Sequence, residues 1–326
     1  MDYYGIRFRT QGEYFRMKKD KTYQTIEEAA ARWGITTRQV RSYCAKGRIV
    51  GAMLDGRAWR IPMDAKKPAR KSRRPFPKSV LGILAAELEA RMPGGLYHRL
   101  QIDFTYNSNH MEGSRLTHEQ TRWIFETKTI GEIGADVPVD DIVETANHFR
   151  AIDEVIRSAR AALTERFIKS LHAILKAGTT DSRKPWFAVG DYKRLENSVG
   201  EIETTPPTRV HDDMARLLAW YNASAHTFED LLAFHVRFET IHPFQDGNGR
   251  VGRLILLKEC LKHDITPFII DDKLRRFYYR GLEGWRKDIR GYLLDTCRTG
   301  QDRFSALLRR YGHTAAADAA DAKDGR

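Results

Sequence analysis

IHPFQDGNGRVGR, Ile241 to Arg253, is the stretch from which the fold of this chain can be read. Apolar residues at helical spacing precede it in DLLAFHVRF, Asp230 to Phe238, and follow it in VGRLILLKECL, Val251 to Leu261. The reading is helix, tight loop, helix. The loop runs into the start of the second helix, where unpaired N–H groups and the macrodipole favour an anion, so a phosphate is the first ligand to expect. Gly247 and Gly249 let the backbone around Asn248 turn its N–H groups toward that anion. Arg250 and Arg253, three apart, leave one side of the helix's first turn and offer two more phosphate contacts. Asp246 is a hard-oxygen ligand suited to a magnesium ion bridging phosphates. His242 stands at the loop's mouth, where it can accept a proton from an attacking hydroxyl.

Working outward, the apolar spacing from Val80 on is almost entirely helical. It predicts helices over 80–91, 96–111, 118–126, 140–159, 164–177, 211–223, 228–238, 250–262, 271–282 and 285–308, with Thr117 and Thr164 as N-caps. A short hairpin is expected within 188–207, ended by Pro206 and Pro207, and residues 311–326 read as a disordered tail. No βαβ rhythm appears, which argues against a Rossmann-type nucleotide site. The fold class is therefore mainly α, with a small β-hairpin.

The net charge of +12 is unevenly spread: residues 1–79 hold 20 Lys and Arg against 7 Asp and Glu, and the rest of the chain is near neutral. That asymmetry predicts a nucleic-acid-facing N-terminal module joined to a domain with another task. Residues 1–21 show no periodicity and read as an arm. In 22–63, Thr25 caps a helix from Ile26 to Trp33, Gly34 stops it, and Thr36 or Thr37 caps a second helix to about Lys46. Two short apolar runs then flank Asp55-Gly56, a favoured hairpin turn. The second helix exposes Thr37, Arg38, Arg41 and Ser42, residue types that contact phosphates and base edges. This unit resembles the small winged helix-turn-helix modules of MerR and excisionase-like proteins, which implies DNA as a partner; docking on a protein or on the chain's own second domain is the alternative. Residues 64–79, with seven basic residues and three prolines, read as a linker that can also hold DNA phosphates.

Three scattered cysteines, no run of ~18 apolar residues and an opening without a secretory apolar segment lead to the expectation of a cytoplasmic protein with no membrane partner.

The central stretch meets the pattern HPFx[DN]GNGRxxR at every specified position and so resembles the Fic family, with likeness from Leu96 to about Arg290. The resemblance implies an ATP- and Mg²⁺-dependent protein adenylyltransferase. His242 would deprotonate a Ser, Thr or Tyr hydroxyl of a target protein or of the chain itself. Asn248 and the glycine amides would hold the α-phosphate, and Arg250 and Arg253 the β- and γ-phosphates. The hairpin near 193–205 would be the flap that aligns the target. Tyr278 and Tyr279 are candidates either for adenosine contacts or for the core. Removal of AMP by the same site, another nucleotide donor such as UTP, and a DNA-binding regulator with a nucleotide-sensing Fic domain stay open.

Upstream, Ser108-Asn-His-Met-Glu112-Gly113 fits the family's inhibitory pattern [ST]xxxE[GN]. Ser108 and Glu112, four apart, share a helix face. The resemblance implies that Glu112 reaches Arg253 and keeps the γ-phosphate from its productive place.

Overall fold

The structure, a computed structural model, describes residues 22–56, 58–68, 79–131, 136–199 and 202–323. The arm 1–21 and most of the basic linker lie outside the described residues. The chain divides into two compact units, 1–74 and 75–326.

In the first unit, α1 (Ile26–Trp33) starts in a capping box between Thr25 and Glu28 and stops at Gly34, whose φ of 61° is left-handed. Thr36, not Thr37, caps α2 (Thr37–Ala45), closing a second box with Gln39. The sheet has the order β1-β3-β2, all antiparallel, from β1 (Tyr23–Gln24), β2 (Met53–Asp55) and β3 (Ala58–Pro62). The third strand, β1, was not foreseen, because two residues carry no readable alternation. Ile26, Ala29, Ala30, Trp33, Val40, Cys44, Ile49 and Ile61 close the small core.

The second unit is helical, as its spacing predicts, and is built around one buried helix. Its elements are α3 (Val80–Ala90), α4 (Leu96–Met111), α5 (His118–Thr127), α6 (Val139–Ser158) and α7 (Glu165–Lys176), then the hairpin β4 (Ser198–Val199) and β5 (Ile202–Glu203). There follow α8 (Pro207–Asn222), α9 (Phe228–Ile241), α10 (Asn248–Lys262), α11 (Asp272–Arg286), α12 (Gly291–Arg310) and α13 (Thr314–Lys323). Every residue of α10 except Gly249 and Lys262 is buried, as expected of a helix covered on all sides. Helices α4, α6, α7 and α9 pack around it. Gly252 permits the α9–α10 crossing: a β-carbon there would stand 2.6 Å from Glu239 Oε1 and 2.8 Å from His235 Cε1.

The clearest departures from the sequence reading are three. Helix α8 begins at Pro207, not His211, because proline's fixed φ suits the first helical position. The break expected at 283–284 falls after Arg286, with Asp288 at φ 62°. The tail expected to be disordered forms α13, with Ala316 and Ala317 buried against α12 and Asp321 bound to Ser305 Oγ at 2.7 Å and to Arg309 at 2.6 Å. Its six alanines favour a helix locally, and the contacts with α12 hold it in place. Among the described residues, no helix is long and apolar enough to cross a membrane.

Candidate active site

The loop between α9 and α10 is a rigid cradle. His242 takes the left-handed conformation, φ 52°, and its N–H caps α9 at Phe238 O, 2.9 Å. Phe244 is fully buried and lies flat on His172 of α7, ring centroids 4.1 Å apart at 7°. The Asn248 side chain accepts from Phe244 N and donates to Phe244 O, both at 2.8 Å. It is buried, and both bonds close back onto Phe244, so the amide shapes the loop. Gly247, at φ 80°, precedes α10 with no side chain capping it. The first N–H groups of α10, those of Asn248, Gly249 and Arg250, therefore point out of the helix as an anion site.

The two arginines have separate partners. Arg253 is buried; its Nε donates to Ser108 Oγ at 3.0 Å, and one terminal nitrogen to Ser108 O at 2.9 Å and to Glu112 Oε1 at 2.7 Å. Glu112 also covers the loop itself, since a β-carbon at Gly249 would collide with its carboxylate. Arg250 binds Glu144 of α6 and, at 3.2 Å, Asp246 Oδ2. Burial alone would raise the Asp246 carboxyl, but Arg250 and Lys176 outweigh it and hold it at about 2. Lys176, at the end of α7, was not singled out in the sequence; its pattern resembles any basic residue in a last helical turn.

His242 is held at about 4, first by burial and then by the positive charge of Lys193; the Glu239 backbone and the Glu112 and Asp246 carboxylates pull the other way. At neutral pH its imidazole is therefore neutral and able to take a proton. Glu239, beside it, is pushed up to about 7, first by burial, with Arg253 opposing.

The hairpin is tied to the loop by residues the sequence did not flag. The Lys193 N–H donates to Pro243 O at 2.8 Å, and its buried ammonium reaches Asn197 Oδ1 and Thr204 Oγ1, both at 2.6 Å. Asn197 Nδ2 donates to Phe244 O at 3.0 Å, and Leu195 N to the Gln245 side chain at 3.2 Å. These bonds set the hairpin beside His242.

Of the two tyrosines, Tyr278 is in the core, the second of the two places the sequence allowed it, with its hydroxyl 2.5 Å from His235 Nε2. Tyr279 is half-exposed next to the C-terminal turn of α4, its hydroxyl 3.4 Å from Met111 O. In the first unit, Arg38 and Arg41 are exposed on α2, and Thr37 and Ser42 are partly exposed.

A magnesium ion fits Asp246 in chemistry: its carboxylate is ionised and the side chain is 46% exposed. Among the described residues no group of three or more His, Cys, Asp or Glu is arranged to hold a metal. A divalent ion here would draw its other oxygens from phosphate and water.

Comparison with known proteins agrees with this geometry. Residues 162–260 match the Fic/DOC family. The Protein adenylyltransferase Fic of Drosophila willistoni is 27% identical over 188 residues, 55% of this chain and 35% of that protein. That of Nematostella vectensis is 26% identical over 233 residues, 67% of this chain and 52% of that protein. The chain thus spans between a third and about half the length of these curated relatives. Among solved structures, a Fic-domain-containing signaling protein from Bacteroides thetaiotaomicron superposes with a TM-score of 0.52 at 24% identity, covering 76% of this chain and 97% of that one. Fic-1 from C. elegans superposes with a TM-score of 0.53 at 19% identity, covering 71% of each chain. The sequence match makes residues 162–260, which include the His242–Arg253 loop, a Fic/DOC-family domain, and the solved structures share its fold.

Proposed function

We propose that this protein is a protein adenylyltransferase, as its curated relatives are named, and that Glu112 holds it in an inhibited state. The observation that carries the reading is a neutral His242 beside the open N-terminus of α10, with Glu112 seated on Arg253 above the same loop. ATP would lay its phosphates on the α10 N–H groups. A Ser, Thr or Tyr hydroxyl of a target protein, aligned by the hairpin at β4–β5, attacks the α-phosphorus while His242 takes its proton. The bond from the α-phosphorus to the bridging oxygen breaks, AMP stays on the target and pyrophosphate leaves. Asp246 would hold a divalent ion, which would supply charge neutralisation to the phosphates. Arg253 serves the γ-phosphate only when Glu112 leaves it, which is the physical content of the inhibition. Ser108 steadies Arg253 through its hydroxyl and carbonyl.

The deciding experiment incubates the Glu112→Gly protein with ATP labelled at the α-phosphate and Mg²⁺, alone and in lysate, beside Glu112→Gly/His242→Ala. Labelled protein in the first and none in the second is expected. No label in either sinks the reading, and loss of AMP from a modified target with the wild-type chain would assign the site to AMP removal instead.

For residues 22–79 we propose DNA as the partner, read by the exposed face of α2 around Thr37, Arg38, Arg41 and Ser42. A gel shift with steep salt dependence supports this. Affinity no greater than that of an unrelated basic peptide overturns it. The three buried, free cysteines suit a reducing compartment, and we place the protein in the cytoplasm.

A further inference from the structure

Beneath the anion loop four charged side chains close a ring. Lys176 Nζ donates to Glu144 Oε1 at 2.5 Å and to Asp246 Oδ2 at 2.7 Å. Arg250 binds the other oxygen of Glu144 and returns to the same Asp246 Oδ2 at 3.2 Å. A third carboxylate, Asp181, approaches Lys176 at 3.3 Å and is itself held by Lys184 at 2.6 Å. Lys176 is 2% exposed, while Asp246 keeps a solvent-facing side. The lysine stem is fixed as well: its Cδ and the His172 ring would lie 3.8 and 3.7 Å from a β-carbon at Gly247, so both floor the loop. The ammonium thus stands where three carboxylates, from α6, the turn after α7 and the loop, converge.

We infer that Lys176, seated in this ring by Glu144, is a positioning residue that acts as the site's internal counter-cation: it fixes Asp246 and Arg250 under the loop and makes uptake of a divalent ion depend on nucleotide. The inference rests on the reading of Asp246 as the residue that meets the nucleotide's metal. The sign follows from charge. With Lys176 and Arg250 both on Asp246 Oδ2, this carboxylate is already neutralised, and a bare divalent ion gains little from it. A polyphosphate brings the missing negative charge and the further oxygens. Removing the ammonium leaves the ring one negative charge in excess in a partly buried place, which either takes a proton or attracts a cation. Arginine at 176 restores the charge.

The test is Mn²⁺ titration of the full chain, followed by electron paramagnetic resonance without nucleotide, on wild type, Lys176→Met and Lys176→Arg. Folding of each is checked by circular dichroism. Wild type and Lys176→Arg are expected to bind no stoichiometric Mn²⁺ below about 1 mM, the weak end of protein calcium sites. Lys176→Met is expected to bind one Mn²⁺ at least about tenfold more tightly, a gain of about 1.4 kcal/mol. A merely structural lysine would give no such gain and no reversal by arginine. Folded Lys176→Met with wild-type Mn²⁺ affinity overturns the inference, and so does stoichiometric uptake by the wild type alone, a measurement that needs no variant to fold. Because no nucleotide is present, failure of AMP transfer in the Glu112→Gly protein would leave this readout intact, so the two failures are told apart.

Discussion

Glu112 at the end of α4 holds Arg253 on α10 across 2.7 Å, although the two are 141 residues apart in sequence. The same carboxylate rests on Gly249, so one side chain occupies both the second arginine and the entrance to the anion loop. Removing it frees Arg253 and the loop together. Glu112→Gly is expected to raise AMP labelling at least about tenfold, the loss of a competing charge-assisted bond worth about 1.5–3 kcal/mol. Ser108→Ala, which strips only the contact to Arg253 Nε, is expected to raise it less. Labelling is read by gel autoradiography, and equal rates for Glu112→Gly and wild type would contradict this.

With His242 as the proposed base, the pH dependence of transfer follows from its burial. The base works when neutral, and burial holds it at about 4 against an ordinary value of 6.5. The rate in the Glu112→Gly background should therefore stay level as pH falls through 6.5 and drop only toward 4, if the fold survives. An acid limb at 6.5 would mean that His242 is solvated during the reaction.

Stability should fall over the same range. His172, at about 4, and His235, at about 3, are also depressed by burial, and each of the three takes up a proton on unfolding below 6.5 that it refuses when folded. The unfolded state then binds more protons, so stability is lost as pH falls from about 6.5 toward 4. Glu239, raised to about 7, binds its proton in the folded state and opposes one of the three. Urea midpoints measured between these values are expected to fall with pH; midpoints that rise on acidification would contradict the assignment.

The hairpin's anchoring can be separated from chemistry. Asn197 joins Lys193, Thr204 and the Phe244 carbonyl. Asn197→Ala is expected to raise the KM for a target protein while leaving nucleotide affinity within about twofold. The lost bonds, net about 0.5–1.5 kcal/mol each, free a hairpin rather than the core. Equal losses in both affinities would place Asn197 in the nucleotide site instead.

Phe244 tests the cradle as packing. It is fully buried between His172 and Phe238, so Phe244→Ala should cost about 3–5 kcal/mol in equilibrium unfolding, as a large cavity does. A loss under about 1 kcal/mol would show that the loop is not held by this ring.

The sequence by itself determined the helices, the loop and its chemical character, because periodicity, caps and the run from His242 to Arg253 are local facts. It placed Ser108 and Glu112 on one helix face, and resemblance alone directed Glu112 to Arg253. Tertiary structure decided the rest. It put Tyr278 against His235 and turned the Asn248 side chain back onto Phe244; a tyrosine or asparagine reads the same in core and site until its neighbours are known. It docked α13 on α12, a contact that the helix-favouring run of alanines does not reveal by itself. It also gathered Glu144, Lys176 and Asp246, from α6, α7 and the loop, around one ammonium. Charges 32 and 70 residues apart leave no trace in spacing, and only the packing of α6 and α7 against α10 brings them within bonding distance.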